Sequence, residues 1–543
     1  MNGLMMDFPL SLTSLLRRTI KNYPEKEIIS YQSNNQVHRY KNKDFYKRVL
    51  RLMNVLRNLG IKEGDRVATF AWNSYRHYEL YFAIPCMGAV LHTLNIRLFP
   101  EQLEYIVNHA DDKVIFIDHS IAKLIAPLLS KFPNVKHLVL MDDNTPTGVE
   151  IPNALDYEKL LNEANEDIPL IDFPENQAAG LCYTSGTTGD PKGVLYSHRS
   201  FFLHSMGICF ADSLALTERD RALPVVPMFH ANAWGIPYGA AMTGSSLIFP
   251  GPNLGGPILA EIIEKEKVTL AAGVPTIWKL LYQHLKSKKH DLSSLNRMVI
   301  GGSAVPRSMI ENFQMEFGIP ILHAWGMTEL SPVGTVSRLT SEMDSWDLEK
   351  QITWRAKQGM NVPCVEIKVE DDEGKEVDWD GKTVGELLVR GPWIAKSYFN
   401  NENANTNFTT DGWFRTGDVV KIDEYGFMEI TDRKKDLIKS RGEWISSVDM
   451  ENLAMAIPGV LEAAAIGKPD PIREEVPVVF IVLTQEEIQK PENKRVNSKT
   501  VHDFLSKNFA HWQLPKLSDI LFVAVIPKTS VGKFDKKELR KRI

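Results

Sequence analysis

A chain of 543 residues is too long for one ordinary hydrophobic core and implies two or more domains. With 43% hydrophobic and 24% charged residues it reads as a globular protein, and 63 Lys+Arg against 68 Asp+Glu (net charge −5) exclude a global basic footprint for nucleic acid. The four cysteines, Cys86, Cys182, Cys209 and Cys364, have no CxxC spacing, which excludes a cysteine-based metal motif and favours a reducing compartment over a disulfide framework. Basic residues cluster only at the C-terminus, where Lys533, Lys536, Lys537, Arg540, Lys541 and Arg542 lie close together. The first twenty residues lack a long apolar core and a small-residue cleavage site, so no secretory signal is expected. No stretch approaches the ~20 apolar residues of a membrane helix, and a cytoplasmic location is the expectation.

The first two-thirds of the chain alternate helix-like and strand-like runs. Asn42 is placed to cap a helix that carries Phe45, Val49, Leu52, Leu56 and Leu59 on one face, with Gly60 as its stop. Short apolar runs at 67–71, 113–118, 137–141, 178–182, 245–249, 269–273 and 297–300 predict buried strands, and helical patterns between several of them predict an α/β sheet. From about 361 to 430 the pattern changes to strands at 365–370, 385–390 and 427–431 separated by Asp-Gly and Glu-Gly turns, which predicts a small β-rich subdomain. Beyond 432, helices at 447–457 and 499–509 mix with strands at 460–467, 477–484 and 519–526, as in a separate α+β domain.

The strongest local signal is Tyr183-Thr184-Ser185-Gly186-Thr187-Thr188-Gly189-Asp190-Pro191-Lys192-Gly193. Glycines let backbone N–H groups turn towards an anion, hydroxyls donate to phosphate oxygens, and Lys192 adds a point charge. The reading is a loop that holds a polyphosphate. It is not a Walker A motif, because Gly193 follows Lys192 where Ser or Thr is required. A flexible polar linker is the plain alternative, and the density of Gly, Thr and Lys after a buried run weighs against it.

This loop resembles the phosphate-binding signature of the acyl-CoA synthetase, adenylation-domain and luciferase superfamily. The other motifs of that superfamily follow in order over nearly the whole chain, and the resemblance is closest to bacterial long-chain fatty acyl-CoA synthetases. It implies a large N-terminal adenylate-forming domain at 1–431 (α/β sheets layered with helices, plus the β-rich subdomain at about 361–430). A hinge at 432–439 and a small mobile α+β C-terminal domain at 440–543 complete the expected architecture.

The remaining motifs acquire roles from that resemblance. In His323-Ala324-Trp325-Gly326-Met327-Thr328-Glu329 an aromatic face, a hydroxyl and a carboxylate lie close together. Trp325 is suited to stack on a purine, Thr328 to bond a phosphate, and Glu329 to ligate Mg²⁺, which needs only one or two protein carboxylates. The resemblance implies Thr184 and Glu329 as the metal ligands, although relatives usually carry Tyr where Trp325 stands. Gly301-Gly302-Ser303-Ala304 is either a plain strand-to-helix turn or backbone close to a ligand; the resemblance puts Gly302 beside adenine. Thr416-Gly417-Asp418, by itself an ordinary turn, supplies the ribose carboxylate Asp418. The charge run Asp432-Arg433-Lys434-Lys435-Asp436-Leu437-Ile438-Lys439 becomes the hinge, with Arg433 at the ribose and Lys435 and Lys439 near the phosphate. Trp444 is expected at the nucleotide, and Arg441 stands where close relatives tend to carry Gly. Near the C-terminus, Lys533 of Pro527-Lys528-Thr529-Ser530-Val531-Gly532-Lys533 takes the place of the lysine that bridges carboxylate and α-phosphate.

The apolar run Val226-Pro227-Met228-Phe229-His230-Ala231-Asn232-Ala233-Trp234 reads either as a packed core strand or, by resemblance, as the acyl side of the site. In the second reading Ala231 faces the nucleotide, His230 contacts substrate, and Trp234 gates a fatty-acid tunnel. The implied activity is ATP- and Mg²⁺-dependent formation of an acyl-adenylate, followed by transfer to coenzyme A, with Lys533, Lys439, Glu329 and Thr184 as the catalytic groups. An aromatic or short-chain acid, or another acceptor in place of CoA, stays open. The end at Ile543 leaves no appended carrier domain, which favours free CoA. The resemblance further implies a homodimer, and attachment to a membrane surface stays open for an enzyme with a lipid substrate.

Overall fold

The computed structural model describes residues 1–144, 146–184, 190–440, 443–471, 473–529 and 533–543, with backbone alone for 402–404, 443 and 444. Its α/β architecture is built on four sheets. In the seven-stranded sheet, Leu155–Asp156, His137–Met141, Asp112–Asp118, Arg66–Phe70, Val90–Thr93 and Ala178–Tyr183 run parallel in that spatial order, and Gly193–Ser197 closes it antiparallel. The nine-stranded sheet has a parallel centre that includes Arg221–Pro224, Leu270–Gly273, Arg297–Gly301 and Ile321–Gly326, with antiparallel strands at both edges.

These strands read as continuous apolar runs because helices cover both faces. The largest core cluster joins Val67, Leu91 and Phe116 of one sheet to Leu247, Val299 and Leu322 of the other. It does so through Phe45, Tyr78, Phe201 and Tyr238, on helices that fill the space between them. A second cluster seats the helices Gly256–Lys265, Pro275–Ser287 and Arg307–Phe317 on the outer face of the nine-stranded sheet. A third covers the outer face of the seven-stranded sheet. The outcome is alternating layers of helix and sheet.

The helix expected to start at a capping Asn42 spans Asn42–Asn58. Asn42 is its first residue, not its cap: the amide Nδ2 donates to the Tyr23 carbonyl at 2.9 Å. Gly60 follows the helix with φ +81°, the left-handed conformation that ends a helix readily at glycine.

The β-rich region is a four-stranded antiparallel sheet of Glu366–Glu370, Gly385–Arg390, Phe414–Ile422 and Met428–Arg433. Thr416-Gly417-Asp418 is therefore part of a strand and not a turn. Leu388 opposes Arg415 while Glu386 opposes Val419, so the three residues form a bulge, with Gly417 at φ +72°. A bulge re-aims the side chain beside it, and the side chain re-aimed here is that of Asp418. The fourth sheet, five-stranded, is drawn from residues 438–522, with apolar clusters on both faces. Among the described residues no helix is long and apolar enough to cross a membrane.

Candidate active site

One cavity of about 370 Å³ opens at the carboxyl ends of parallel strands from both large sheets. Thr184 follows Ala178–Tyr183, Val225 follows Arg221–Pro224, Val274 follows Leu270–Gly273, Gly302 follows Arg297–Gly301 and Met327 follows Ile321–Gly326; all of them line it. Parallel α/β sheets bind ligands at these ends. Arg433, Lys434, Lys435 and Lys533 complete the wall.

At one end stand the two ends of the predicted phosphate loop. The Thr184 N–H donates to the Lys192 carbonyl at 2.9 Å, and the Lys192 N–H donates to Thr184 Oγ1 at 3.2 Å. Two hydrogen bonds thus clasp the loop at its base. Ser185, Gly186, Thr187, Thr188 and Gly189 lie outside the described residues. Glu329, which also lines the cavity, sits in a tight turn whose Met327 N–H donates to the Pro332 carbonyl at 3.0 Å. Thr328 is fixed from behind by Tyr196, whose hydroxyl donates to its carbonyl at 2.7 Å. The buried Glu329 carboxylate accepts from Tyr398 at 2.7 Å on Oε1, and no other donor reaches it among the described residues.

Gly302, Ala324 and Trp325 form another wall. The positive φ of Gly302, +81°, suits glycine and presents backbone to the cavity. Trp325 Nε1 donates to Asp418 Oδ2 at 2.9 Å, and Arg433 Nε meets Asp418 Oδ1 at 2.9 Å. A carboxylate offers about four lone-pair positions, so roughly one on each oxygen remains. The Asp418 charge is the main reason the Arg433 pKa is raised. Burial lowers the pKa of Lys435. Lys533 is exposed to the cavity mouth, yet the surrounding protein, and next the Arg433 charge, bring its pKa down to about 8. Its backbone is clasped to Thr529, whose N–H donates to the Lys533 carbonyl at 2.7 Å.

The apolar wall carries Val225, Val226, Pro227, Phe229, Trp234 and Ile277. Residues 226–234 form no strand, contrary to the core-strand reading. Ala231, Asn232, Ala233 and Trp234 are all left-handed, with φ of 43°, 54°, 48° and 56°. Each such residue costs roughly 1–2 kcal/mol, and the segment persists because its surroundings hold it. The Ala233 N–H donates to the Pro227 carbonyl at 3.2 Å, and Cys182 Sγ donates to Asn232 Oδ1 at 3.0 Å. The twist lays the Trp234 ring along Gly301, where a Cβ would sit 3.4 Å from it. Burial, then the Lys533 and Arg97 charges, lower the His230 pKa to about 4, so the imidazole is neutral at pH 7.

The structure gathers Thr184, Lys192, His230, Ala231, Trp234, Gly302, Ala324, Trp325, Thr328, Glu329, Arg433, Lys435 and Lys533 around this one cavity, with Asp418 behind Trp325 and Arg433. Besides Asp418, two predicted residues are not among those that line it. His323 is buried with its Nδ1 2.9 Å from the carbonyl of Ala356, the last residue of a helix packed beside the strand and not the cavity. Lys439 is exposed, with its ammonium 3.8 Å from Glu474. Arg441 and the Trp444 side chain lie outside the described residues. The sequence reading missed Tyr398, Arg97, Asp190 and Lys434, which also line the cavity. Tyr398 follows an ordinary strand in no charged or glycine-rich pattern, so nothing local singled it out.

Known proteins resemble this chain over nearly its whole length. The profile described as AMP-binding enzyme matches residues 16–399, and that of the AMP-binding enzyme C-terminal domain matches residues 449–533. The chain belongs to the AMP-binding enzyme family. It is 44% identical to a long-chain-fatty-acid–CoA ligase of Thermus thermophilus, over 99% of this chain and 96% of the relative. It is 41% identical to a medium-chain-fatty-acid–CoA ligase of Ectopseudomonas oleovorans, over 100% and 97%. A 3-methylmercaptopropionyl-CoA ligase of Ruegeria lacuscaerulensis is 42% identical, over 99% and 98%. Among solved structures, the anthranilate CoA ligase AuaEII with anthranoyl-AMP superimposes with a TM-score of 0.85 at 25% identity, covering 99% of this chain and 98% of that one.

Proposed function

We propose that the chain is an ATP-dependent, AMP-forming fatty acid–CoA ligase. One observation carries the reading: Thr184, Glu329 and Lys533, far apart in sequence, line a single cavity whose further wall is apolar. Among the described residues no group of three or more His, Cys, Asp or Glu side chains is placed to hold a metal by itself. One hydroxyl and one buried carboxylate fit Mg²⁺, which leaves most of its shell to phosphates and water. Thr184 and Glu329 would hold it, and when bound it neutralises phosphate charge.

The residues divide the remaining work. The loop at 184–192 with Lys192 grips the polyphosphate, Gly302, Ala324 and Trp325 receive adenine, and Asp418 takes the ribose hydroxyls. The apolar wall with Trp234 receives the acyl chain. A carboxylate oxygen attacks the α-phosphorus, the bond to the bridging oxygen breaks, and pyrophosphate leaves with the electron pair. The Lys533 ammonium stabilises the charge that develops on the phosphoryl oxygens. In the second half-reaction the CoA thiol attacks the acyl carbon and AMP leaves. Residues 440–543 turn about the hinge at 432–439 between the two, taking Lys533 out of the site. The cavity walls limit access of water to the reactive mixed anhydride.

The 3-methylmercaptopropionyl-CoA ligase relative, 42% identical, supports a second reading in which the acid is short. CoA-dependent AMP release across saturated acids of increasing length, with 3-methylmercaptopropionate alongside, separates the two. No AMP release with any acid would sink both. A cytoplasmic homodimer belongs to the same proposal. The exposed apolar N-terminal residues Leu4, Met5, Met6 and Phe8 support it, and sedimentation at micromolar concentration tests it.

A further inference from the structure

We propose that Tyr398 is a positioning residue that locks the phosphate loop to the Glu329 carboxylate, so that polyphosphate grip and Mg²⁺ ligation are set by one side chain. The inference rests on the nucleotide reading of the cavity. Residues 395–399 contact both the Glu329 turn and the base of the loop. The Ala395 N–H donates to the Glu329 carbonyl at 2.8 Å, and the Tyr398 hydroxyl donates to Glu329 Oε1 at 2.7 Å. The Phe399 N–H donates to the Gly193 carbonyl at 2.8 Å, directly after the loop. The Lys192 ammonium stands 4.9 Å from the Tyr398 ring centroid.

Tyr398 itself is held firmly. Its N–H donates to Asn405 Oδ1 at 2.9 Å, and the Phe408 ring packs edge-on at 5.4 Å. Burial, and then the Glu329 charge, raise the pKa of its hydroxyl well above the ordinary phenol value, so it remains a donor at physiological pH. Two different forces therefore act through one ring. A charge-assisted hydrogen bond fixes one carboxylate oxygen and leaves the other for a metal, while a cation–π contact steers the loop lysine. Groups that orient a metal ligand typically alter metal affinity about 10–100-fold when removed.

The two forces separate in two variants. Tyr398→Phe keeps the ring under Lys192 and loses the hydroxyl; Tyr398→Leu loses both. Calorimetric titration with ATP, in Mg²⁺ and again in EDTA, reads binding without turnover. For the Phe variant, MgATP affinity should fall about tenfold while metal-free ATP affinity stays at the wild-type value. For the Leu variant, metal-free ATP affinity should fall as well, about threefold. A Phe variant with unchanged MgATP affinity, or one that loses MgATP and metal-free ATP equally, overturns the proposal. Thermal melting of both variants identifies a mere loss of fold. If the wild type binds MgATP but forms no AMP with any acid, the ligase reading fails while the Tyr398 coupling is still measured.

Discussion

Thr184, Glu329 and Trp325 stand at or just beyond the ends of buried strands, each fixed by hydrogen bonds, whereas Lys533 is exposed and its described hydrogen bonds join its backbone to Thr529. In the reaction proposed above, the two large sheets would hold recognition groups in fixed places, and the C-terminal part would deliver a charge. Fixed groups suit ligand features present throughout the reaction, such as the adenine, the ribose and the polyphosphate. A delivered charge suits a step that must be switched on and then off. Preorganised charge costs no rearrangement at the moment of reaction, and a lysine outside both large sheets would leave without disturbing either.

The comparison breaks most sharply at Lys533. Lys533→Ala should slow acid-dependent pyrophosphate exchange about 10²–10³-fold and leave thioester formation from supplied acyl-adenylate near the wild-type rate. An equal loss in both half-reactions would return Lys533 to the fixed class. The protonation state gives a second handle. With its pKa near 8, Lys533 is mostly charged at pH 7 and loses its proton as pH rises. The kcat/KM of adenylation should therefore fall by about tenfold per pH unit above 8. Lys533→Arg, which stays charged, should lack that limb whatever its absolute rate.

Glu329 probes the fixed side. Glu329→Gln keeps an acceptor for Tyr398 but loses the charge, so the Mg²⁺ concentration needed for half-maximal exchange should rise about tenfold. Unchanged Mg²⁺ dependence would remove Glu329 as a ligand.

Much of this was legible in the sequence. The buried strands at 137–141, 178–183 and 385–390 declared themselves, because strands covered on both faces or paired in tight antiparallel order carry dense apolar runs between turn residues. Motif residues with unusual composition, such as the Gly/Thr loop and the final lysine, were also visible. What stayed hidden depends on register and on chain reversal in space. The strand Phe414–Ile422 was misread because its bulge mimics a turn. His323 belongs to the site by its motif, yet its imidazole meets the Ala356 carbonyl, a partner 33 residues away that the motif does not reveal. Tyr398 matters only because residues 395–399 happen to bridge Gly193 and Glu329, two positions that local sequence cannot bring together.

The smallest expected effect concerns Trp325, where the fixed side is itself adjustable. Its indole supplies two things: a π face on the cavity wall and an N–H that holds Asp418 Oδ2. Trp325→Phe retains the face and deletes the donor. Arg433 still pairs with the other oxygen of Asp418, so the carboxylate keeps one partner but gains freedom to rotate. A lost hydrogen bond of this kind is worth about 1 kcal/mol, or roughly fivefold. The KM for ATP should rise by that factor while the KM for 2′-deoxy-ATP, which lacks one of the two hydroxyls, rises less. Equal losses for both nucleotides would mean that the indole N–H serves only packing. Ribose recognition would then rest on Asp418 and Arg433 alone, a pair half supplied by the same C-terminal boundary that delivers Lys533.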